Sequence, residues 1–326
     1  MSSAALMMGG GGLLYMMWSS GSIMPLIYCF LGLFVLLVGQ LIINQEKIVY
    51  VPEPMPGMIR PEDNPEGFRS PGEHALKYED VYMKTTDGIT IHAWWMPAGA
   101  SGATAARNAP TILFCHANAG NIGMRLPNFA DLVRKTGCNV LAFDYRGFGK
   151  SEGSPTEAGL IQDGLVCLKT LREKFDIAET FLFGRSLGGA VAVGLVKCVE
   201  EFAPEQRAQY PKIKGVMLEN TFTSISDLAD KIFPFLSYLG WVKAKFLRIK
   251  WDTESKIQTL SKTSGTKFLF LVGEKDELVP PAHSKRLHEK CPCTSKIVTF
   301  KDGMHNDTYH KGGKEYQQVV QDFVRS

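Results

Sequence analysis

Hydrophobic and polar positions fall into three regimes along the chain. The first is an unbroken apolar run, IMPLIYCFLGLFVLLVGQLII over 23–43, in which Gln40 is the only strongly polar residue; no charged residue precedes Glu46. At about 1.5 Å per residue a helix of this length matches the roughly 30 Å apolar thickness of a bilayer. A secretory signal would carry a basic start and a shorter apolar stretch. The pattern therefore predicts a retained transmembrane anchor over 23–43, preceded by an uncharged segment over 1–22. The second regime, 44–77, shows no periodicity and is dominated by Pro, Glu and Gly (VPEPMPGMIRPEDNPEGFRSPGEH). Repeated Pro fixes φ and removes donors, so this stretch reads as a Pro-rich linker or a surface wrap.

The third regime, 78–326, alternates strand-sized apolar runs with helical stretches. Glu79 to Met83 and Ile89 to Trp95 alternate around Thr86-Asp87-Gly88, the signature of an antiparallel hairpin. TILFCH (111–116), NVLAFDY (139–145), TFLFGRS (180–186), GVMLEN (215–220), KFLFLVG (267–273) and KIVTF (296–300) follow. Short continuous apolar strands separated by helices describe a mostly parallel sheet buried on both faces, an α/β fold. Ser154-Pro155-Thr156-Glu157 reads as a capping box that launches a helix toward Phe175.

Composition narrows the partners. The chain has 326 residues, 36 basic and 33 acidic, for a formal charge of +3, and is 45% hydrophobic. That excludes disorder and gives no basic footprint for nucleic acid. The seven cysteines are odd in number and mostly sit in apolar runs, so they read as buried thiols rather than a disulfide framework. Cys291-Pro292-Cys293 has no second cluster with ligand spacing, so no metal is expected.

Chemistry concentrates at Gly184-Arg185-Ser186-Leu187-Gly188, between the apolar strand Phe181-Leu182-Phe183 and the small-residue helix start Gly189-Ala190-Val191. This is G-x-S-x-G in the strand-turn-helix setting that presents a serine nucleophile. Tight packing demands the glycines, and the small flanks should leave the serine oxygen exposed at a helix N-terminus, where the dipole favours negative charge.

With that motif, HANAGNIGMRLP (116–127), FDYRGFGKSEGSPTEAGL (143–160), GRSLGGAVA (184–192) and DGMHNDTY (302–309) resemble the α/β-hydrolase superfamily. The likeness is to membrane-anchored serine hydrolases related to the fungal bud-emergence (Bem-type) proteins and their animal α/β-hydrolase-domain relatives. ENTFTSI (219–225) and GEKDELVP (273–280) extend it over most of 76–326. The resemblance implies a triad in the chain order Ser, acid, His. Ser186 is the nucleophile, Asp276 the acid with Glu219 as fallback, and His305 the base with His310 as runner-up. His74 and His92 precede the core sheet, and His283 and His288 read as one face of a surface helix. Asp144 and Arg146 read as structural, bonding loop backbone.

For the oxyanion the resemblance points to the backbone N–H of Leu187 and to Asn118; relatives usually carry Gly where Ala117 stands, so a positive φ there would strain alanine. The insert over about 222–265 joins aromatic residues (Phe222, Phe233, Phe235, Tyr238, Trp241, Phe246, Trp251) to Lys243, Lys245, Arg248 and Lys250, and is placed where such enzymes carry a lid. It reads either as a packing helix with a solvated basic edge or as an acyl-site cover whose basic edge meets anionic headgroups.

The expected function is a membrane-anchored serine hydrolase cleaving an ester or thioester through an acyl-enzyme, without metal or organic cofactor. Its partners would be a small-molecule or lipid-like acyl substrate, including acylated proteins, and the membrane. The alternatives are a serine peptidase or amidase and a non-catalytic tethered scaffold. The expected location is a single-pass endomembrane site, the endoplasmic reticulum. Lys47 and Arg60, which follow the span, favour a cytosolic domain. The sequon Asn306-Asp307-Thr308 lies beside His305, where a glycan would obstruct the site.

Overall fold

The computed structural model describes residues 22–99 and 108–326, so the uncharged segment expected over 1–22 lies, but for its last residue, outside the described residues. The chain divides into two compact units, one ending at Ile48 and one running from Val49 to Ser326.

In the first unit, helix α1 (Met24–Ile43) has Pro in its first turn and none of its side chains buried. Its 20 residues are long and apolar enough to cross a membrane. Within such a helix every backbone group between the ends is satisfied internally, the condition for leaving water. Asn44 closes the last turn by donating its amide to the Gln40 carbonyl and side-chain oxygens, both at 2.9 Å.

The second unit is built on a sheet of eight strands among the described residues: β1 (Glu79–Lys84), β2 (Thr90–Met96), β3 (Thr111–Cys115), β4 (Asn139–Phe143), β5 (Glu179–Arg185), β6 (Lys212–Glu219), β7 (Lys267–Gly273) and β8 (Ser295–Phe300). Their order is β1-β2-β4-β3-β5-β6-β7-β8. The first two pairings are antiparallel and the rest parallel. The hairpin forms where the sequence predicts it, with Gly88 at φ +87° closing the turn by donating to the Thr85 carbonyl at 2.9 Å. Only a residue without Cβ takes that left-handed position freely.

Strand alternation divides the core in two. Leu113, Leu141, Leu182, Val216 and Phe270 face helices α3 (Glu157–Glu173) and α4 (Leu187–Glu201). Phe114, Val140, Phe183, Met217 and Leu271 face α2 (Leu126–Asp131) and the C-terminal helix Thr308–Arg325. Both faces are covered, so the strands have to be apolar throughout. Cys115, Cys138 and Cys167 lie inside this core, where burial raises all three thiol pKa values.

Two sequence expectations are revised. The stretch read over 44–77 as a linker or a surface wrap is, from Val49 onward, part of the folded unit, as the second of those readings has it. Tyr50 is buried, its hydroxyl accepting from Trp251 Nε1 at 3.0 Å. Val51 pairs with the loop after β3, through Val51 N–H to Asn118 O and Gly120 N–H to Val51 O, both 2.9 Å. Asn64 and Asn121 exchange amide hydrogen bonds at 2.8 and 3.1 Å. Proline-rich composition suppresses ladders, but these side chains and single bridges satisfy the backbone instead. The capping box expected at Ser154 is also displaced: Thr156 caps α3, accepting from Gly159 N–H at 3.0 Å. Glu157 is then the first helical residue, and its carboxylate holds the insert through Lys250 N–H (3.1 Å), Trp251 N–H (3.0 Å) and Lys256 Nζ (2.9 Å).

The insert after β6 contains α5 (Ile225–Ile232), a 3₁₀ segment Pro234–Leu239, α6 (Gly240–Phe246) and a short helix Thr253–Ile257. Phe222, Val242, Ile249 and Trp251 are buried, whereas Tyr238 and Trp241 stand in solvent. Helix α7 (Pro281–Lys290) then leads to β8, and the C-terminal helix, α8 (Thr308–Arg325), closes the unit.

Candidate active site

Because β5 through β8 run parallel, the turns that leave their carboxyl ends lie along one edge of the sheet, where open α/β sheets bind ligands. Ser186 occupies the turn from β5 into α4 at φ +53°, ψ −118°, a region costly for any residue with a Cβ. Its N–H is held by the Glu219 carbonyl at 2.8 Å. The motif's glycines are steric necessities: a Cβ on Gly184 would lie 2.3 Å from the Gly188 carbonyl oxygen, and one on Gly188 would lie 2.0 Å from that of Cys115. The tightness aims Ser186 inward. The residue is 4% exposed, so the solvent-facing hydroxyl expected from the small flanks is instead turned toward a neighbouring loop.

That neighbour is His305, two residues after the turn that follows β8. Its Nε2 lies 3.1 Å from Ser186 Oγ, and its Nδ1 lies 2.8 Å from Asp276 Oδ2. All three residues are buried. Asp276 comes from the loop after β7, and its other oxygen accepts from Leu278 N–H (2.9 Å) and Val279 N–H (2.7 Å). With Oδ1 filled by two backbone N–H groups, Oδ2 is left to face His305 Nδ1; a proton on Nδ1 leaves Nε2 to accept from the serine hydroxyl. The structure thus brings together Ser186, Asp276 and His305.

The other candidates lie elsewhere. Glu219 points to the opposite face of β6, where it ion-pairs Arg185 (2.5 Å) and accepts from the Tyr316 hydroxyl. Arg185 stacks on Tyr309, 5.0 Å from the ring centroid to the guanidinium carbon. Burial opposes the Arg185 charge, but the Glu219 carboxylate, Tyr316 and Tyr309 together outweigh it and raise the pKa. His310 lies in the first turn of α8, where its backbone N–H donates to the Asp307 carbonyl at 2.9 Å and its ring meets that of Tyr309. His283 and His288 face the domain rather than solvent: His283 Nδ1 is 2.8 Å from Thr223 Oγ1, and His288 sits edge-on to Phe270 with Nδ1 3.0 Å from Ser295 Oγ. His74 bonds the Gly67 carbonyl (2.7 Å), and His92 bonds Asp80 (2.7 Å). Asp144 does bond loop backbone, accepting from Ile122 N–H at 2.8 Å. Arg146 instead engages carboxylates, Asp163 at 2.9 Å and Asp87 at 2.7 Å, because both come within reach of a guanidinium that needs planar acceptors.

Leu187 N–H is the first in α4, and Asn118 lies in the loop after β3. Among the described residues no backbone carbonyl accepts from either N–H. The Asn118 side chain turns away to the Val49 carbonyl at 3.0 Å, so any donation to a substrate comes from its main chain. Ala117 is not among the positive-φ residues, so alanine fits this loop without the strain anticipated for it. Below the loop, His116 is fully buried against Tyr145 with Nδ1 2.6 Å from the Ala117 carbonyl, and burial pushes its pKa down to about 4.

Sequence reasoning missed Asn220. Immediately after β6 at φ +51°, it donates through Nδ2 to the carbonyls of Met304 (3.2 Å) and His305 (3.1 Å) and to Thr308 Oγ1 (3.0 Å), while Oδ1 accepts from Gly273 N–H at 2.9 Å. One side chain thereby fastens the histidine loop to the ends of β6 and β7. The signals were its place at a strand end and within the ENTFTSI stretch (219–225) that shares the family likeness.

A mostly parallel eight-stranded sheet, helices on both faces, and a serine turn after β5 facing a histidine after β8 define the α/β-hydrolase fold. The family described as serine aminopeptidase S33 matches residues 106–264. The chain is 36% identical over 314 residues to the α/β-hydrolase domain-containing protein WAV2 of Arabidopsis thaliana, covering 92% of this chain and 93% of that one. It is 35% identical over 274 residues to protein bem46 of Schizosaccharomyces pombe, covering 82% and 84%. A membrane protein of Saccharomyces cerevisiae is 35% identical over 258 residues, covering 78% and 82%. A solved esterase of Pyrococcus furiosus superposes with a TM-score of 0.60 at 20% identity, over 78% of this chain and 92% of that one, a likeness of fold. The chain belongs to the α/β-hydrolase family.

Proposed function

We propose that this protein is a membrane-anchored serine hydrolase that cleaves an ester or thioester through an acyl-enzyme. The observation that carries the reading is the continuous line Asp276 Oδ2 to His305 Nδ1 (2.8 Å) and His305 Nε2 to Ser186 Oγ (3.1 Å). Ser186 Oγ attacks the acyl carbonyl as its proton passes to His305 Nε2, and Asp276 stabilises the imidazolium. The Leu187 and Asn118 main-chain N–H groups receive the oxyanion, each worth about 3–4 kcal/mol in the transition state. The imidazolium returns its proton to the departing alkoxide or thiolate; water, activated by the same ring, then releases the acid and restores the serine.

The apolar helix α1 and the similarity to a yeast membrane protein support anchoring. Anchoring in turn favours lipid-like acyl chains, including those on acylated proteins. The test is covalent labelling of the full chain with a fluorophosphonate probe. Labelling should be complete in the native chain and lost in Ser186→Ala; equal labelling of both would overturn the reading. A second reading, hydrolysis of an amide by the same residues, is favoured by the serine aminopeptidase description of the matching family. Turnover of aminoacyl amides in preference to acyl esters and thioesters would select it.

A further inference from the structure

The segment 231–250, KIFPFLSYLGWVKAKFLRIK, contains five basic residues and no acidic one. It forms the end of α5, the 3₁₀ segment, α6 and the irregular residues 247–250 that follow. Along it Ile232 is 45%, Tyr238 87% and Trp241 69% exposed. The exposure is selective: Trp94, Trp95 and Trp251 are all buried, so among the described residues Trp241 is the tryptophan the fold leaves in water. Lys243 is neutralised by Asp230 at 2.5 Å, but Lys231, Lys245 and Lys250 form no ion pair among the described residues. Lys245 follows Trp241 by one helical turn and lies over the Phe246 ring, its Nζ 5.5 Å from the centroid.

We infer that this face is a docking surface for an anionic phospholipid bilayer. Indole and phenol rings present an apolar body with one polar edge and partition to the headgroup level of a membrane. Lysines lay their stems along apolar surface and carry the ammonium to the phosphates. The run itself holds no carboxylate; Asp230 pairs Lys243, and Lys250 shares a cleft with Asp227, Asp252 and Glu254, so attraction to a negative lipid surface rests chiefly on Lys231 and Lys245. The inference rests on the reading of α1 as an anchor: residues 44–48, helical from Gln45, alone join α1 to the unit that starts at Val49, a link that would reach at most about 20 Å even if fully extended. An anchored domain therefore meets the bilayer surface continuously. The insert leaves the carboxyl end of β6, the same sheet edge as Ser186, so docking turns that edge toward the lipid that would supply an acyl chain.

The experiment uses the full chain reconstituted in vesicles of phosphatidylcholine alone or with about 30% phosphatidylserine. The emission of Trp241 is isolated as the difference between the native chain and Trp241→Phe, and doxyl-labelled phospholipid is the quencher. In phosphatidylserine vesicles the Trp241 component should be blue-shifted and quenched by about twofold or more, less so in phosphatidylcholine, and high salt or Lys231→Glu with Lys245→Glu should relieve the quenching. A Trp241 component that stays red-shifted and unquenched in both compositions overturns the inference, whether the face is then bare or reserved for a protein. Carbonate extraction of the same vesicles tests the anchor on which the inference rests, and probe labelling of Ser186 tests the hydrolase reading, so the failure of either is told apart from a failure of docking.

Discussion

Asn220 commits every polar atom of its side chain to the elements around His305 and stands in left-handed backbone to do so. Asn220→Gly keeps the backbone comfortable and removes only the cross-links. Leaving their buried partners unmatched should destabilise the domain by about 2–4 kcal/mol in urea unfolding. Loosening the imidazole should lower kcat on an ester substrate on the order of tenfold to a hundredfold with little change in KM. Ser186, Asp276 and His305 were legible because a local motif and a fixed chain order mark them. Asn220 was not, since its worth depends on residues more than 80 positions away meeting it in space. Glu219 shows the same limit: its strand was readable, but a carboxylate at a strand end offers no clue to which face receives it.

A second residue carries a pH signature. His116 titrates near 6.5 when unfolded and about 4 when buried, so between those values the unfolded chain binds the extra proton. Its contribution to stability is therefore complete above pH 6.5 and is lost as pH falls toward 4, an amount of about 3 kcal/mol. His116→Gln should remove that dependence. The stability gap between native and variant, from urea titrations across pH 7 to 4, should shrink with acid; a constant gap would refute the assignment.

At the scale of elements, the strands were readable because burial on both faces demands unbroken apolar runs. Their neighbours were not, because helix starts in this chain are settled by tertiary competition. Ser154-Pro155-Thr156-Glu157 offers two possible caps, and Thr156 prevails while Glu157 serves the Lys250–Trp251 backbone instead. Thr156→Ala should cost about 1 kcal/mol of unfolding free energy. Glu157→Gln should leave the helix in place but expose amides of 250–251 to faster hydrogen exchange, because a neutral amide holds two N–H groups less strongly than a carboxylate.

For the molecule as a whole, the sequence separates an apolar helix from an α/β domain but misplaces the seam. Composition put it near residue 77; the packing of Tyr50, Val51 and Asn64 moves it to Val49. Polar, proline-rich stretches look alike whether they float or adhere, since adhesion rests on a few specific side chains. A chain spanning 49–326 should fold and react with the fluorophosphonate probe. One spanning 78–326 should unfold or lose labelling, having given up several kcal/mol of a total of roughly 5–15.

The thiols sealed within the sheet core have a practical use. Cys115, Cys138 and Cys167 are shut off from reagents and disfavoured as thiolates, so alkylation at these positions proceeds only through opened molecules. They amount to a native clock for breathing of the core, read by mass spectrometry without engineering any residue.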